Sequence, residues 1–288
     1  MLQATAHLTG RFTLALRRAS RVIGAALALW AGAAAAGPPE RVVSINLCTD
    51  QLAMMLAGPG QLVSISRISH DPNMSVMLEQ ALSYPINHGQ AEEVFRLNPD
   101  LVLAGQFTSP YTVALLRQLG VNVVTLPVVN TLDAIPDAIL QVGLLLGQQD
   151  NANALVSEFR AGLAQLRTQR DTRPRAALHY ANNYTTGANS LAHDILNAAG
   201  FANIAAEEGI SGGGHLALER LVMLMPDLVI SGQPYPGASR AEEVLTHPAM
   251  TALRDQHAAQ ALSDADWVCG TPAVLRAIAQ LSQLHEGG

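Results

Sequence analysis

The 288-residue chain has no lysine, and all 17 of its basic side chains are arginine. That bias is compositional and carries little function by itself. Charged residues are also scarce, at 14%, and aromatics make up only 4%. A chain that is 49% apolar is not disordered by composition, and its length suffices for two lobes of ordinary domain size. No Gly-x-Ser-x-Gly elbow, Walker loop or His-Glu-x-x-His motif occurs, so no catalytic constellation stands out. After the first 36 residues no long apolar run remains. Only two cysteines are present, Cys48 and Cys269. In an oxidising compartment such a pair forms either a disulfide or two buried small hydrophobes.

The start of the chain reads as an export signal. Arg11, Arg17, Arg18 and Arg21 precede an apolar run from Val22 to Ala36, with small residues before Gly37. This is the order of a cleavable signal peptide over residues 1–36. A membrane anchor is the other reading, but the run is shorter than the ~20 residues a span needs. No cysteine follows the small residues, so no lipid anchor is indicated. Export through the general route and through the twin-arginine route both remain open. Without those four arginines, 13 basic and 23 acidic residues remain, a formal charge of −10. An acidic chain of this kind has no basic face for nucleic acid, so none is expected as a partner. The mature protein is expected to be soluble, periplasmic and monomeric.

One unit is written twice. "AEEVFRLNPDLVLAG" (91–105) and "LERLVMLMPDLVISG" (218–232) align without a gap. Glu92 falls on Glu219, Asp100 on Asp227, and His88 on His215. Glu93 has no counterpart acid, because Arg220 stands there. Each copy predicts a loop, a helix, a Pro-Asp turn and a buried strand. A glutamate in the first turn of a helix complements the macrodipole by ~0.3–1 kcal/mol, which alone could account for both.

Around these copies, short β-branched runs alternate with helical patterns. "RVVSI", "QLVSIS" and "VNVVTLP" read as strands, "QLAMMLAG" and "SPYTVALLRQLG" as helices, and "NLCTD" as a turn. "RISHDPNMS" and "NNYTTGANS" read as loops. Between the halves, 132–147 and 151–170 are helical in pattern, with Leu155, Phe159, Leu163 and Leu166 on one face. The fold class expected is α/β: two Rossmann-like lobes with mostly parallel sheets, joined by a single long α-helix. The boundaries are a signal peptide at 1–36, a first lobe at 37–131, a helical linker at 132–172 and a second lobe at 173–288.

Ligands of open α/β sheets sit beyond the carboxyl ends of the strands. That places His88, Gln106 and Phe107 on the cleft edge of the first lobe, and His215, Gln233 and Tyr235 on that of the second. His70, Asp71, His88 and His215 are the candidates for a metal, although spacing does not bring them together. A lone loop histidine more often bonds backbone or water. "SGGGH" follows no clear strand, which disfavours a phosphate cradle.

"RVVSINLCTDQLAMMLAG", "GQAEEVFRLNPDLVLAG", "LRQLGVNVVTLP" and "LERLVMLMPDLVISG" resemble the solute-binding proteins of ATP-driven (ABC) importers for cobalamin and iron complexes. The resemblance spans nearly all of the mature chain. It implies two lobes with little relative movement and a cleft for a bulky metal chelate. It also implies one acidic residue per lobe, Glu92 and Glu219, facing arginines of an inner-membrane permease dimer. No resident cofactor is implied; the transported ligand itself would carry iron or cobalt. Trp267 matches a cleft tryptophan of cobalamin-binding relatives. His70 stands where those relatives carry tyrosine, and Asn87 and His88 stand where a tryptophan is expected. Tyr184 joins the ligand-contact set His70, His88, Phe107, His215, Tyr235 and Trp267. Haem-binding relatives use Tyr or His as axial ligands, a role His88 or His215 could fill. Cobalamin, an iron siderophore and haem all remain open as ligands. The rival from another class is an exported metal-dependent hydrolase or chelatase of related architecture, built on His88 and His215.

Overall fold

A computed structural model describes residues 37–167, 172–232, 239–256, 258–260 and 264–286. The signal peptide expected at 1–36 lies outside the described residues. The chain divides after Pro38, and both lobes belong to the unit Pro39–Gly288. Among the described residues no helix is long and apolar enough to cross a membrane.

The first lobe alternates strand and helix. Its order is β1 (Val42–Ser44), α1 (Leu47–Leu56), β2 (Leu62–Ser66), a 3-10 turn (Arg67–His70), α2 (Leu78–Ala81), β3 (Ile86–Asn87), α3 (Ala91–Arg96), β4 (Leu101–Gly105), α4 (Pro110–Gln118) and β5 (Val123–Leu126). The strands pair in parallel in the order β3-β2-β1-β4-β5. Every residue of β1 and β4 is buried, as strands covered on both faces must be. The stretch "NLCTD" is not a plain turn. Asn46 accepts a hydrogen bond from the amide of Cys48 at 3.1 Å and so caps α1. The helix therefore begins at Leu47, inside the polar stretch, because the cap satisfies an amide that would otherwise lack a partner.

Helix α5 (Ile135–Leu146) ends in Gly147, whose left-handed backbone (φ 69°) turns the chain into α6 (Gln149–Leu166). At 18 residues, α6 is the long helix of the linker, about 27 Å from end to end. Its Ala152, Val156, Phe159 and Leu163 are buried, with Leu155 and Leu166 packed beside them. A Cβ at Gly143 would meet the Ala152 side chain at 2.3 Å, so α5 and α6 touch through a position only glycine fits.

The second lobe contains β6 (Arg175–Leu178), β7 (Tyr184–Thr186), α7 (Leu191–Ala198), β8 (Ala202–Asn203), α8 (Ile204–Glu207), β9 (Gly213–His215), α9 (Leu218–Leu224), β10 (Leu228–Ile230), α10 (Pro248–Gln256), β11 (Ala258–Gln260) and α11 (Val274–Glu286). Its main sheet is parallel in the order β11-β10-β6-β8. β7 and β9 form a separate antiparallel ribbon. The stretches "NNYTTGANS" and "SGGGH" hide that ribbon, because neither carries the apolar alternation of a half-buried strand. One buried cluster runs from Val42 and Leu103 in the first sheet, through Ile139 and Phe159 of the linker, to Leu178 and Ile278 in the second lobe. The lobes thus share a core.

The repeated unit has a repeated chemistry. Asp100 accepts from the amides of Glu40 (2.7 Å) and Arg41 (3.0 Å), and Asp227 accepts from the amide of Arg175 (2.7 Å). Arg41 in turn donates to the carbonyl of Leu97 (2.7 Å), and Arg175 to that of Leu224 (2.8 Å). Each Pro-Asp turn therefore fastens the start of its lobe's first strand to the end of the preceding helix. Both helices leave through a left-handed residue, Asn98 (φ 49°) in one copy and Met225 (φ 45°) in the other. Asparagine tolerates that region and methionine does not, so the second copy is the strained one.

Candidate ligand-binding cleft

In the first sheet, strand order reverses between β1 and β4. In the second it reverses between β6 and β10. Such switch points open a crevice beyond the strand ends. The chain leaving β1 gives Asn46 and Leu47, the chain leaving β4 gives Gln106 and Phe107, and the chain leaving β6 gives Tyr180. All five line one of two adjoining cavities, of about 320 and 400 Å³. The first is walled largely by the first lobe, with Val268 and Gly270 reaching in from the second. The second is walled by Tyr180, Tyr184, Thr186, Ser190 and Trp267. The cavities share Met74, Val128, Val129 and Val268, which form a waist between them.

The aromatic walls are positioned in different ways. Phe107 stands on the rim, 84% exposed. Trp267 is only 6% exposed and belongs to the shared core. Tyr184 lies over the β7–β9 ribbon, where a Cβ at Gly213 would come within 2.1 Å of its hydroxyl. That accounts for one glycine of "SGGGH": the run makes room for a tyrosine. The His215 and Tyr184 rings pair in a T shape, with centroids 6.2 Å apart and an interplanar angle of 87°.

Of the residues singled out from the sequence, Phe107, Tyr184 and Trp267 line these cavities, and His70, His88 and His215 do not. His70 bonds the carbonyl of Ala81 at 2.9 Å. His88 pairs with Glu93, 3.1 Å from Nδ1 to Oε1, and its amide donates to the same carboxylate at 2.7 Å. Burial pushes Glu93 upward, but these His88 contacts outweigh it and hold the carboxyl below its usual range. Tyr235 lies outside the described residues. Among the described residues, no group of three or more His, Cys, Asp or Glu side chains is arranged to hold a metal. Sequence reasoning passed over Asn46, Met74, Tyr180 and Gln141. Tyr180 had a signal, since it follows the first strand of its lobe at the switch point. Cys48 and Cys269 are joined in a disulfide, with Cα atoms 5.1 Å apart.

Asp50 is fully buried on α1, the helix whose Cys48, Thr49 and Leu52 line the first cavity. Its Oδ2 accepts from the Ser66 amide (3.1 Å), the Ser66 hydroxyl and the Ser69 hydroxyl (2.7 Å). Among the described residues its Oδ1 has no hydrogen-bond partner. This clamp organises the polar loop that follows β2, whose Ile68 and Met74 reach the first cavity. Burial pushes the Asp50 carboxyl up to about 6, and the serine hydrogen bonds only partly offset this. The folded value lies above the unfolded one, so the folded state binds more protons between the two, and stability falls as pH rises through about 6. The penalty at pH 8 is about 3 kcal/mol. Asp50→Asn is therefore expected to stabilise the protein at pH 8 and to flatten its stability between pH 5 and 8. Urea unfolding of both proteins at the two pH values measures this, and equal slopes would contradict it.

A family model described as "Periplasmic binding protein" matches residues 42–260, and the chain belongs to that family. A "Cobalamin-binding protein" of Halobacterium salinarum is 30% identical over 200 residues, covering 67% of this chain and 54% of that protein. This chain spans about half the length of the curated relatives first matched. Among solved structures, the periplasmic vitamin B12 binding protein BtuF of Vibrio cholerae superposes with a TM-score of 0.61 at 25% identity, covering 86% of this chain and 97% of that one. The periplasmic haem-binding protein RhuT of Roseiflexus sp. RS-1 gives a TM-score of 0.68 at 24% identity, covering 85% and 96%, and supports the two-lobed fold alone.

Proposed function

We propose that this is the periplasmic substrate-binding protein of an ABC importer, carrying a metal chelate in the interlobe cleft to an inner-membrane permease. Among cobalamin, siderophore and haem, the reading favoured is a net-neutral, amide-bearing corrinoid of the cobalamin kind, whose charges are balanced within the ligand. One observation carries the choice: no described residue lining either cavity is charged. The polar groups there are amides, hydroxyls and phenols, such as Asn46, Gln106, Gln141, Asn130, Tyr180 and Ser190. They can exchange hydrogen bonds with carboxamides. The carboxylates of haem or the charge of a ferric catecholate would enter without a cation to compensate them, at a cost of several kcal/mol. The names of the Halobacterium and Vibrio relatives support the same ligand class.

Delivery rests on Glu92 and Glu219. Each is the second residue of its helix, each is exposed, and neither forms an ion pair with a described residue. By contrast, the neighbouring Glu93 is held by His88, and Arg220 by Glu208 at 2.7 Å. Two free carboxylates at matching places suit the arginines of a symmetric permease dimer. Titration with cyanocobalamin, haemin and a ferric catecholate, each followed by its visible spectrum, tests the ligand class. Tightest binding is expected for cyanocobalamin. Preference for haemin or the catecholate would overturn the corrinoid reading.

A further inference from the structure

The disulfide lies at the waist of the cleft. Cys48 is the second residue of α1 in the first lobe and itself lines the first cavity. Cys269 follows Trp267 and Val268 in the segment that leads into α11. Val268 lines both cavities, Trp267 lines the second, and the Cys48 sulfur lies 3.9 Å from the Val268 carbonyl. The segment is tied to its own lobe by the Arg276–Asp266 ion pair at 2.6 Å. Trp267 also packs into the core shared by both lobes, but the segment's other described polar ties to the first lobe are slight. Thr271 reaches Gln51 at a long 3.4 Å, and Gly270 touches Val129 so closely that a Cβ would come within 2.3 Å. That glycine contact fills space but does not pull the walls together.

We propose that the Cys48–Cys269 disulfide is a positioning element of the ligand site: it fixes the spacing between the two walls of the cleft, and the site is complete only once the bond has formed. This rests on the reading of the cleft as the ligand site. Closure follows ordinary thiol–disulfide exchange. One cysteine thiolate attacks a disulfide donor of the oxidising compartment, and the other displaces the donor from the mixed disulfide. The donor leaves as two thiols carrying the two electrons and two protons.

The experiment separates spacing from stability. In the Trp30→Phe chain, Trp267 is the sole indole, and its quenching by acrylamide reports the wall without any ligand. Three forms are compared: oxidised, reduced, and reduced protein rejoined by a bridging reagent that adds a carbon spacer between the sulfurs. The spacer restores the covalent tie, and with it the loop-closure stability, but not the native distance. The expected result is several-fold stronger quenching in both the reduced and the spaced forms, although the spaced form melts near the oxidised one. Where reduction unfolds the protein outright, the spaced form still decides. Quenching in the spaced form equal to that of the oxidised form would overturn the proposal and leave the bond a staple of stability. Cyanocobalamin is then added to each form. An order-of-magnitude loss of affinity in the spaced form is expected. No binding even to the oxidised form would refute the corrinoid reading, while the quenching result still judges the bond.

Discussion

Replacing Glu92 and Glu219 together with arginine is expected to abolish uptake while leaving chelate binding intact. Both carboxylates are exposed at the starts of matching helices, α3 and α9, away from the described cavity linings. If they only complement helix dipoles, each contributes ~0.3–1 kcal/mol to stability and nothing to transport. If they meet permease arginines, reversal sets like charges against each other and removes bidentate acceptors that glutamine replaces poorly. Single reversals should impair uptake and the double one should eliminate it, with increasing salt weakening what remains. Labelled cyanocobalamin uptake by cells lacking their own copy of the protein measures this. An unmodified rate in the double variant, at normal expression, would return both residues to a role at their helix ends.

The second large effect concerns the aromatic walls, and it divides in two. Trp267→Ala empties a position that is 6% exposed and part of the shared core, so a loss of about 3–5 kcal/mol of stability should accompany the loss of affinity. Phe107→Ala removes a ring that is 84% exposed, so stability should change by less than about 0.5 kcal/mol. Affinity for the chelate should nevertheless fall if, as proposed, the cleft holds the chelate and the rim ring packs against it. Thermal melts beside cyanocobalamin titrations of each variant separate the two. Unchanged affinity in both would remove the aromatic cleft from the account.

The strands of the first lobe were legible because they are short, β-branched and fully buried, and "LVLAG" and "LVISG" announce themselves twice. The long linker helix was legible from Phe159 and Leu163 at helical spacing. The β7–β9 ribbon was not, since Gly213 and Gly214 offer no apolar pattern and exist to seat Tyr184 and pass Ile210. The Pro-Asp repeat was visible, but its reason was not: Arg41 and Arg175 reach their Asp partners across more than fifty residues. Histidines drew attention as chemically versatile residues, yet His70 and His88 spend their ring nitrogens on Ala81 and Glu93. The described lining of the cleft is instead uncharged, and its groups have no distinctive spacing in sequence. Asp50 escaped notice for a similar reason, because burial and the Ser66–Ser69 clamp give it its character, and neither is local.

The most direct measurement is the visible spectrum of the protein as exported by its own cells, taken without added ligand. Absorption bands of a corrinoid are expected, persisting through gel filtration and lost when the protein unfolds. A haem Soret band or a ferric catecholate band in their place would contradict the uncharged cleft as the determinant of ligand class. A colourless protein that takes up none of the three chelates would contradict the transport reading itself.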